Sequence, residues 1–250
     1  MAKLLIAILS LTLLPQATTR YPLQRFEVIR TDPEGIRRLP ESVRRIFADP
    51  VPDGEPVDSL DEAAKRAGFA PRMLKSPTVV QWVVTDPVNE EAKISVAELM
   101  SALREAKITN VSVPEAWNNV IVNLQQSAGV LADYGDFLIA QAAPLTMNAP
   151  VGFSLPQFLE VLFRVLGLNA SDAGALRQKF AANPSAFFPI PTRYDMDIRQ
   201  VPLASGTGLL LQNADKGGEL AFMWSAADRS YFLTGLLTEA QAIATANSLQ

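Results

Sequence analysis

The alternation of apolar and polar residues is clearest in the last quarter of the chain, from Tyr194 to Gln250. Turn-forming residues there separate four apolar runs, near 195–203, 209–211, 219–225 and 229–235. Thr238 and Gln241 then have the spacing of a capping box, in which each side chain bonds to the backbone of the other residue at the start of a helix. The pattern predicts an antiparallel meander that is closed by a C-terminal helix.

The predicted meander is apolar on both faces. Leu220, Phe222 and Trp224 share one face because strand residues two apart point the same way, and Tyr231 continues that face on the next strand. Met223 points the other way. We expect the closing helix to cover one face and a second helix to cover the other, unless that face binds a ligand. Leu220, Phe222, Trp224 and Tyr231 are therefore the candidate ligand or partner surface.

Four further helices are predicted before the meander. Ser59 and Ser95 each begin a Ser-x-x-Glu capping box. The run 155–166 is apolar except for a narrow polar strip, so we expect a buried helix that covers the second face of the meander. The fourth helix begins at Ser171 and ends before Pro184.

Strands are predicted in the first half of the chain as well. A short strand lies between Leu23 and Ile29, and β-branched or aromatic residues fill 78–85. Short breaks suited to hairpins separate four extended runs, at 108–113, 120–124, 129–134 and 137–142. Prolines punctuate 33–56, so we expect a surface excursion there, whose arginines are solvated and balanced by nearby acids.

These elements predict an α+β fold, with antiparallel meander sheets packed by about five helices and a C-terminal helix that closes the last meander. The chain of 250 residues, 48% of them hydrophobic, is long enough for one large core. We expect a single domain over 20–250. An alternative is a division into two lobes, 20–145 and 146–250, because a helix precedes each predicted meander.

Residues 1–19 predict an export signal or membrane anchor. Lys3 precedes an apolar run from Leu4 to Leu14, which as a helix spans about 16 Å and so about half of a bilayer core. A partial membrane span and a buried helix are the alternatives. We therefore expect the protein to lie outside the cytoplasm, either secreted, periplasmic or anchored.

The absence of both Cys and His excludes many kinds of site. There is no disulfide, no thiolate nucleophile, no Cys-ligated metal, no Ser-His-Asp triad and none of the usual zinc sites. A formal net charge of −4 argues against a nucleic-acid partner. We expect no cofactor.

Two pairs of carboxylates are the remaining candidates for a metal or acid–base site. Asp195 and Asp197 share one face of a predicted strand, and Asp133 and Asp136 flank a turn. The simpler interpretations are exposed charges on an edge strand and the ordinary preference of Asp for turns. We therefore predict neither catalytic nor metal-ligating residues.

Short segments of packing and turn residues lie along most of 20–250: LQRFEVI at 23–29, SLDEAAKRAGF at 59–69, Val113-Pro114 with Trp117, FLIAQAAP at 137–144, PIP at 189–191, and the stretch from Phe222 to Leu249. In these segments the chain resembles a bacterial family of unknown function. Its members look like the extracytoplasmic sensor-like regions of membrane-bound anti-sigma-factor proteins. In the last stretch the likeness is carried by Trp224, Tyr231, Leu233, Gly235, 243–244 and 247–249.

The resemblance implies a mixed sheet-and-helix domain outside the cytoplasm that senses the envelope state or holds a hydrophobic or peptide ligand. Because the chain lacks the His and Cys of a zinc-containing anti-sigma module, we expect a sensor or partner role and not direct inhibition of a sigma factor.

The sequence thus favours a non-enzymatic sensor or protein-interaction module with a protein partner at or outside the cytoplasmic membrane, linked by the resemblance to envelope-stress or anti-sigma signalling. The alternative is a carrier of a hydrophobic ligand in a groove on the sheet. A carboxylate hydrolase is the weaker rival, since two carboxyls can act as acid and base when a pocket brings them together.

Overall fold

The computed structural model describes residues 17–48, 53–213, 219–226 and 228–249. Within them the fold is α+β, as predicted, with 14 strands and seven helices. The helices are α1 (Gly35–Arg38), α2 (Glu41–Ala48), α3 (Leu60–Ala67), α4 (Val96–Glu105), α5 (Leu155–Val165), α6 (Ala170–Ala182) and α7 (Glu239–Ser248). Two of these helices, α1 and α2, were not predicted. They lie in the proline-punctuated segment.

The larger sheet has eight strands, and every neighbouring pair in it is antiparallel. The predicted C-terminal meander forms one half of it, and the last strand of the meander pairs with an earlier strand of the chain, which joins the two halves. In spatial order the strands are β11 (Met196–Leu203), β12 (Gly206–Asn213), β13 (Glu219–Ala226), β14 (Arg229–Leu236), β8 (Phe137–Ala142), β7 (Val130–Asp133), β4 (Gln81–Thr85) and β3 (Gly54–Val57).

The smaller sheet is also antiparallel and has four strands, in the order β1 (Thr18–Pro22), β9 (Thr146–Pro150), β6 (Ile121–Gln126) and β5 (Val88–Lys93). A separate parallel pair is formed by β2 (Arg25–Thr31) and β10 (Ser185–Pro191). The sequence pattern predicted β2 but gave no sign of its parallel partner.

Three buried clusters hold these layers together. The first lies between the smaller sheet and helices α2, α4, α5 and α6. The second lies between one face of the larger sheet and helices α3 and α7. The third joins the opposite face of the larger sheet to β2 and β10. The first two clusters each contain residues from both sides of position 145, so that position does not separate them.

The prediction that the apolar helix at 155–166 covers the second face of the meander was wrong. That helix, α5, lies in the first cluster, and the parallel pair covers the meander face instead. The pair suits this position because its side chains alternate: Val28 and Phe188 face the larger sheet, while Ile29 and Phe187 face the first cluster. A layer with two apolar faces can therefore separate the two cores.

Several local predictions were confirmed by the hydrogen bonds at the helix ends. The Ser59 and Ser95 hydroxyls accept from the amides of Glu62 and Glu98. Thr238 and Gln241 form the complete capping box. Each such cap stabilises its helix by about 1 kcal/mol.

Other local predictions were wrong. Residues 108–113 form no strand, whereas β5 and β9 are strands that the pattern did not indicate. The cap of α6 is Asn169 and not Ser171; its side-chain oxygen accepts from the amide of Asp172 at 2.9 Å. The proline-punctuated segment is also more than a surface excursion, because Leu39 and Val43 are buried in the first cluster. Two of its arginines pair with nearby acids as expected, Arg37 with Glu34 and Arg45 with Glu41, and Arg38 pairs with Asp32.

The predicted export signal lies mostly outside the described residues, which begin at Ala17. Thr18 and Thr19, at the end of that prediction, belong to β1 and pair with Pro150 and Ala149 of β9. Among the described helices, none combines the length and apolarity that crossing a bilayer requires.

Candidate functional site

The four residues of the predicted ligand or partner surface belong to the second cluster, beneath α3 and α7. Leu220, Phe222, Trp224 and Tyr231 are between 0 and 2% exposed. Leu220 and Phe222 are interior packing residues and line no described hollow. Trp224 and Tyr231 are neighbours across β13 and β14, with ring centroids 5.0 Å apart and planes within 6° of parallel. These two also border a hollow at the end of the sheet.

That hollow has a volume of about 270 Å³ and is partly open to solvent. Strands β13 and β14 supply its floor, the β11–β12 hairpin and the C-terminal end of α7 supply two walls, and the segment after α3 supplies the third. The residues that matter chemically are Arg72, Trp224, Tyr231 and Asn247. We call it the Arg72–Tyr231 hollow.

Tyr231 sits at the middle of a continuous cross-strand row that runs through all eight strands of the larger sheet. The row consists of Val201, Gly208, Trp224, Tyr231, Gln141, Val130, Val84 and Glu55. Because directly opposed residues share a face, the row sets the aromatic pair and Gln141 side by side on the face covered by α3 and α7. The register of the sheet thus positions the floor of the hollow.

Gln141 fixes the wall that carries Arg72. Its side-chain oxygen accepts from the Arg72 amide at 2.8 Å, and its side-chain nitrogen donates to the Arg72 carbonyl at 2.7 Å. Gln141 is 2% exposed, so these two bonds are made in the interior. The side chain acts as an extra strand partner for the Arg72 backbone. It holds Arg72 close to Tyr231 without using the guanidinium.

The Tyr231 hydroxyl is buried and makes no hydrogen bond to any described residue. Burial raises the pKa of this phenol above its usual value of 10.0, and the positive charge of Arg72 acts in the opposite direction. A buried hydroxyl without a partner costs about 1–3 kcal/mol. Such a group in a native fold calls for a functional or solvent explanation.

The charge around the hollow is positive. Within the described parts of the chain, the Arg72 guanidinium has no carboxylate within ion-pair distance. Arg229 lies close to Tyr231 as well, but it is bound to Asp228 at 2.6 Å and stacks on the Phe69 ring. None of the residues that line the hollow is acidic. Arg72 therefore supplies a cation that has no counterion among the residues that the structure describes.

A second hollow, of about 370 Å³, lies beside the smaller sheet and is more open. Its polar side chains bond mainly to one another and to the backbone. Asn148 donates to Gln125 at 2.9 Å, Gln125 donates to Asn89 at 3.3 Å, and Gln126 donates to the Ala143 carbonyl at 2.7 Å. Because these amide groups already have partners, this second hollow has less unmet hydrogen-bonding capacity than the Arg72–Tyr231 hollow.

The two carboxylate pairs have local structural roles. Asp197 lies on the edge strand β11 and pairs with Arg199 at 2.7 Å, while Asp195 lies exposed before the strand. The Asp133 carboxylate accepts from the amide of Gly135 at 2.7 Å, as expected of a turn residue. In the part of the chain that the structure describes, no three acidic side chains come close enough to hold a metal ion.

Sequence reasoning found Trp224 and Tyr231 but missed the polar half of the site. Arg72 follows a helix in a stretch with no regular pattern, and Gln141 looks like an ordinary strand residue. The one available signal was Gln141 itself, a polar side chain in a mostly apolar strand at a position where the alternation predicts burial. Asn247 was noted only as one of the residues that carry the family resemblance. In the structure its side-chain oxygen accepts from the Ala204 amide at 2.9 Å.

The two buried tyrosines of this face should respond differently to loss of their hydroxyls. Leu74 donates its amide to the Tyr134 hydroxyl, whereas the Tyr231 hydroxyl has no described partner. We expect Tyr134→Phe to lower the free energy of unfolding by about 1 kcal/mol, and Tyr231→Phe to raise it by about 1 kcal/mol or more, because that change removes a buried hydroxyl that has no described partner. Urea unfolding of both variants measures the difference. An equal loss in the two would mean that Tyr231 has a protein partner.

Comparison with known proteins adds no relative to this picture: no family model, no curated protein and no solved structure matches the chain. The family resemblance therefore rests on the quoted sequence segments alone, and the function is inferred from the Arg72–Tyr231 hollow.

Proposed function

We propose that the protein is a non-enzymatic sensor module that acts outside the cytoplasm and binds a small ligand in the Arg72–Tyr231 hollow. The observation that carries the proposal is a buried aromatic floor beside two polar groups: the Tyr231 hydroxyl, which has no hydrogen-bond partner among the described residues, and the Arg72 guanidinium, which has no carboxylate partner among them. Ligand sites combine an apolar lining with a few placed polar groups in this way.

The chemistry of the hollow favours recognition over catalysis. A guanidinium stays protonated at any physiological pH, and the raised pKa of Tyr231 keeps its phenol neutral. Neither group is suited to accept a proton near pH 7. Both are hydrogen-bond donors, so the arrangement suits the holding of a ligand.

The walls of the hollow suggest how binding would reach a partner. Asn247 joins the end of α7 to the β11–β12 hairpin, and Gln141 joins Arg72 to the sheet. A ligand that contacts Arg72 and Tyr231 bridges elements distant in sequence and stabilises their arrangement. The proposed readout is a change at the surface of α7, recognised by a protein partner at or outside the membrane; the family resemblance and the export-like leader support this location.

The carrier of a large hydrophobic ligand is the less favoured function. Leu220 and Phe222, which belong to the predicted surface, are buried within the second cluster. Sites for drug-sized ligands have volumes of about 300–1,000 Å³, and the hollow lies just below that range. It suits a small molecule or the end of a chain.

Filling the hollow tests the proposal. Ala226 lines it at the end of β13, so Ala226→Phe should occupy the space with little change to the core. We expect native mass spectrometry of the exported protein to show a retained small molecule, and a panel of small metabolites to include compounds that raise Tm. Both effects should be absent in Ala226→Phe.

Ala143→Phe is the matched control, because Ala143 lines the second hollow. It should bind ligands as the original chain does. Ligands that bind Ala226→Phe as tightly as the original chain, or a panel that raises Tm in neither protein, would contradict the proposal.

A further inference from the structure

We infer that the ligand of the Arg72–Tyr231 hollow carries a carboxylate on a short apolar chain. This inference rests on the proposed function, that the hollow is a ligand site, and it adds the chemical class of the ligand. Its basis is the charge of the hollow, the arrangement of its donors and the nature of the remaining lining.

An anion is the complementary charge. The cation of Arg72 has no counterion among the described residues, and the lining of the hollow contains no acid. Arg72 also lines the same hollow as Tyr231, whose hydroxyl has no described partner. A negative oxygen between these two groups would satisfy both, through charge-assisted hydrogen bonds that are stronger than neutral ones.

The single positive charge and the planar shape of the guanidinium favour a carboxylate over a phosphate, although the Ser205 hydroxyl at the rim could donate to either. The guanidinium fork matches the two oxygens of a carboxylate, and Tyr231 supplies one further O–H. Asn247 uses its side-chain oxygen for the Ala204 amide, so its amino group is the donor that it has left to offer. One cation balances a monoanion, whereas a phosphate dianion with three terminal oxygens would keep part of its charge and several lone pairs unmatched.

Apart from Ser205, the rest of the lining is apolar. Beside the Trp224 ring lie Ala226, Ala246 and Leu249. At about 30 Å³ for each water, 270 Å³ corresponds to roughly nine waters, which is room for a carboxylate with a few carbons but not for a lipid chain. A ligand with its head on Arg72 and Tyr231 would lay its tail against this surface.

Two sources supply this chemistry: a free short-chain carboxylic acid, and the C-terminal residue of an apolar peptide. Both present the same head and a similar tail. The assignment is therefore to the shared group, and the probes below separate the sources.

Isothermal titration calorimetry with hexanoate, hexanamide and inorganic phosphate tests the inference on the full chain. Hexanamide keeps the tail and the shape but removes the charge. We expect hexanoate to bind at least tenfold more tightly than either of the other two, because hydrogen bonds to charged groups are the stronger class. The tripeptide Ala-Ala-Leu with a free and with an amidated C-terminus forms the second arm: tighter binding of the free peptide than of hexanoate assigns the peptide source, and the reverse order assigns the free acid.

Two variants connect binding to the named groups. Arg72→Gln should weaken hexanoate about 10- to 100-fold, and Tyr231→Phe about 3- to 10-fold. Arg20→Gln makes the same charge change in the second hollow and should leave hexanoate binding unchanged. Circular dichroism of each variant checks that a loss of binding is not a loss of fold.

The outcomes separate this inference from the proposed function. Equal binding of hexanoate and hexanamide, or tighter binding of phosphate, overturns the carboxylate assignment; if that binding is abolished by Ala226→Phe, the hollow is still a ligand site. Hexanoate that binds Arg72→Gln and Ala226→Phe as well as the original chain overturns the assignment to this hollow. If no carboxylate probe binds, the inference is overturned. The proposed function would still stand if other metabolites raise the Tm of the original chain and do not raise that of Ala226→Phe.

Discussion

Replacing Gly208 by alanine is expected to lower the free energy of unfolding by about 2–3 kcal/mol, because the added methyl group overpacks a filled core. A Cβ at this position would lie 2.4 and 2.5 Å from two atoms of the Phe222 ring. That ring is fully buried, and its centroid lies 5.3 Å from that of Trp224, so it has little freedom to move away. Urea unfolding would show a lower midpoint at an unchanged slope.

Gly174→Ala is the control for this prediction. Gly174 lies within α6, and a Cβ there would meet nothing within 4 Å. The same chemical change should therefore raise stability by about 0.5–1 kcal/mol, because glycine disfavours the helix. In the double variant with Phe222→Leu, Gly208→Ala should cost less than it does alone. An unchanged midpoint for Gly208→Ala, or a cost unaffected by Phe222→Leu, would contradict the steric explanation.

The sequence predicted the elements whose signals are local. The capping boxes at Ser59, Ser95 and Thr238 depend on residues three positions apart, and the C-terminal meander depends on alternation with turn residues between runs. Each of these patterns is read within a short window of chain. The meander and the Thr238 capping box were found as predicted, while at Ser59 and Ser95 the structure shows one half of the box, the bond from the Glu62 or Glu98 amide to the serine hydroxyl.

The failures involve partners that are distant in sequence. β2 and β10 form a parallel pair although Arg25 and Ser185 are 160 positions apart, and no local pattern specifies such a pairing. No local pattern indicates β5 either. Its residues Asn89, Glu90 and Glu91 are all exposed, so it lacks the alternation of apolar and polar residues by which a strand is predicted. Because the pairing of β2 with β10 was not predicted, the helix at 155–166 was expected to cover the meander face that this pair covers in the structure.

The same distinction between local relations and distant partners applies to the residues of the candidate site. Trp224 and Tyr231 were predicted because they lie on one face of adjacent strands in a hairpin, which is a local relation. Arg72 is held near them by its backbone bond to Gln141, 69 positions away in the sequence. Asn247 is held at the hollow by its bond to Ala204, 43 positions away. Tertiary structure therefore adds the charge to an aromatic surface that the sequence alone presents as apolar.

Gln141→Leu should have the largest effect on the site, because one side chain serves both backbone groups of Arg72. Leucine keeps the approximate size but leaves the Arg72 amide and carbonyl without partners, at about 1–3 kcal/mol for each buried group. We expect the free energy of unfolding to fall by about 2–4 kcal/mol, since the half-buried Arg72 segment can regain part of this loss by turning to water. Urea unfolding gives the total, and amide hydrogen exchange at Arg72 gives the local part, which should speed up more than exchange in β13 or β14.

Gln126→Leu is the matched control for that change. Gln126 also donates to a backbone carbonyl, that of Ala143 at 2.7 Å, but it makes a single such bond in a more open setting. Its loss should cost less than about 1 kcal/mol and leave exchange at Arg72 unaltered. Because Gln141 positions Arg72 beside Tyr231, Gln141→Leu should also weaken ligands that bind in the hollow, whereas Gln126→Leu should not. If the Arg72 amide stays protected in Gln141→Leu, the segment is held by other contacts, and the hollow does not depend on this side chain.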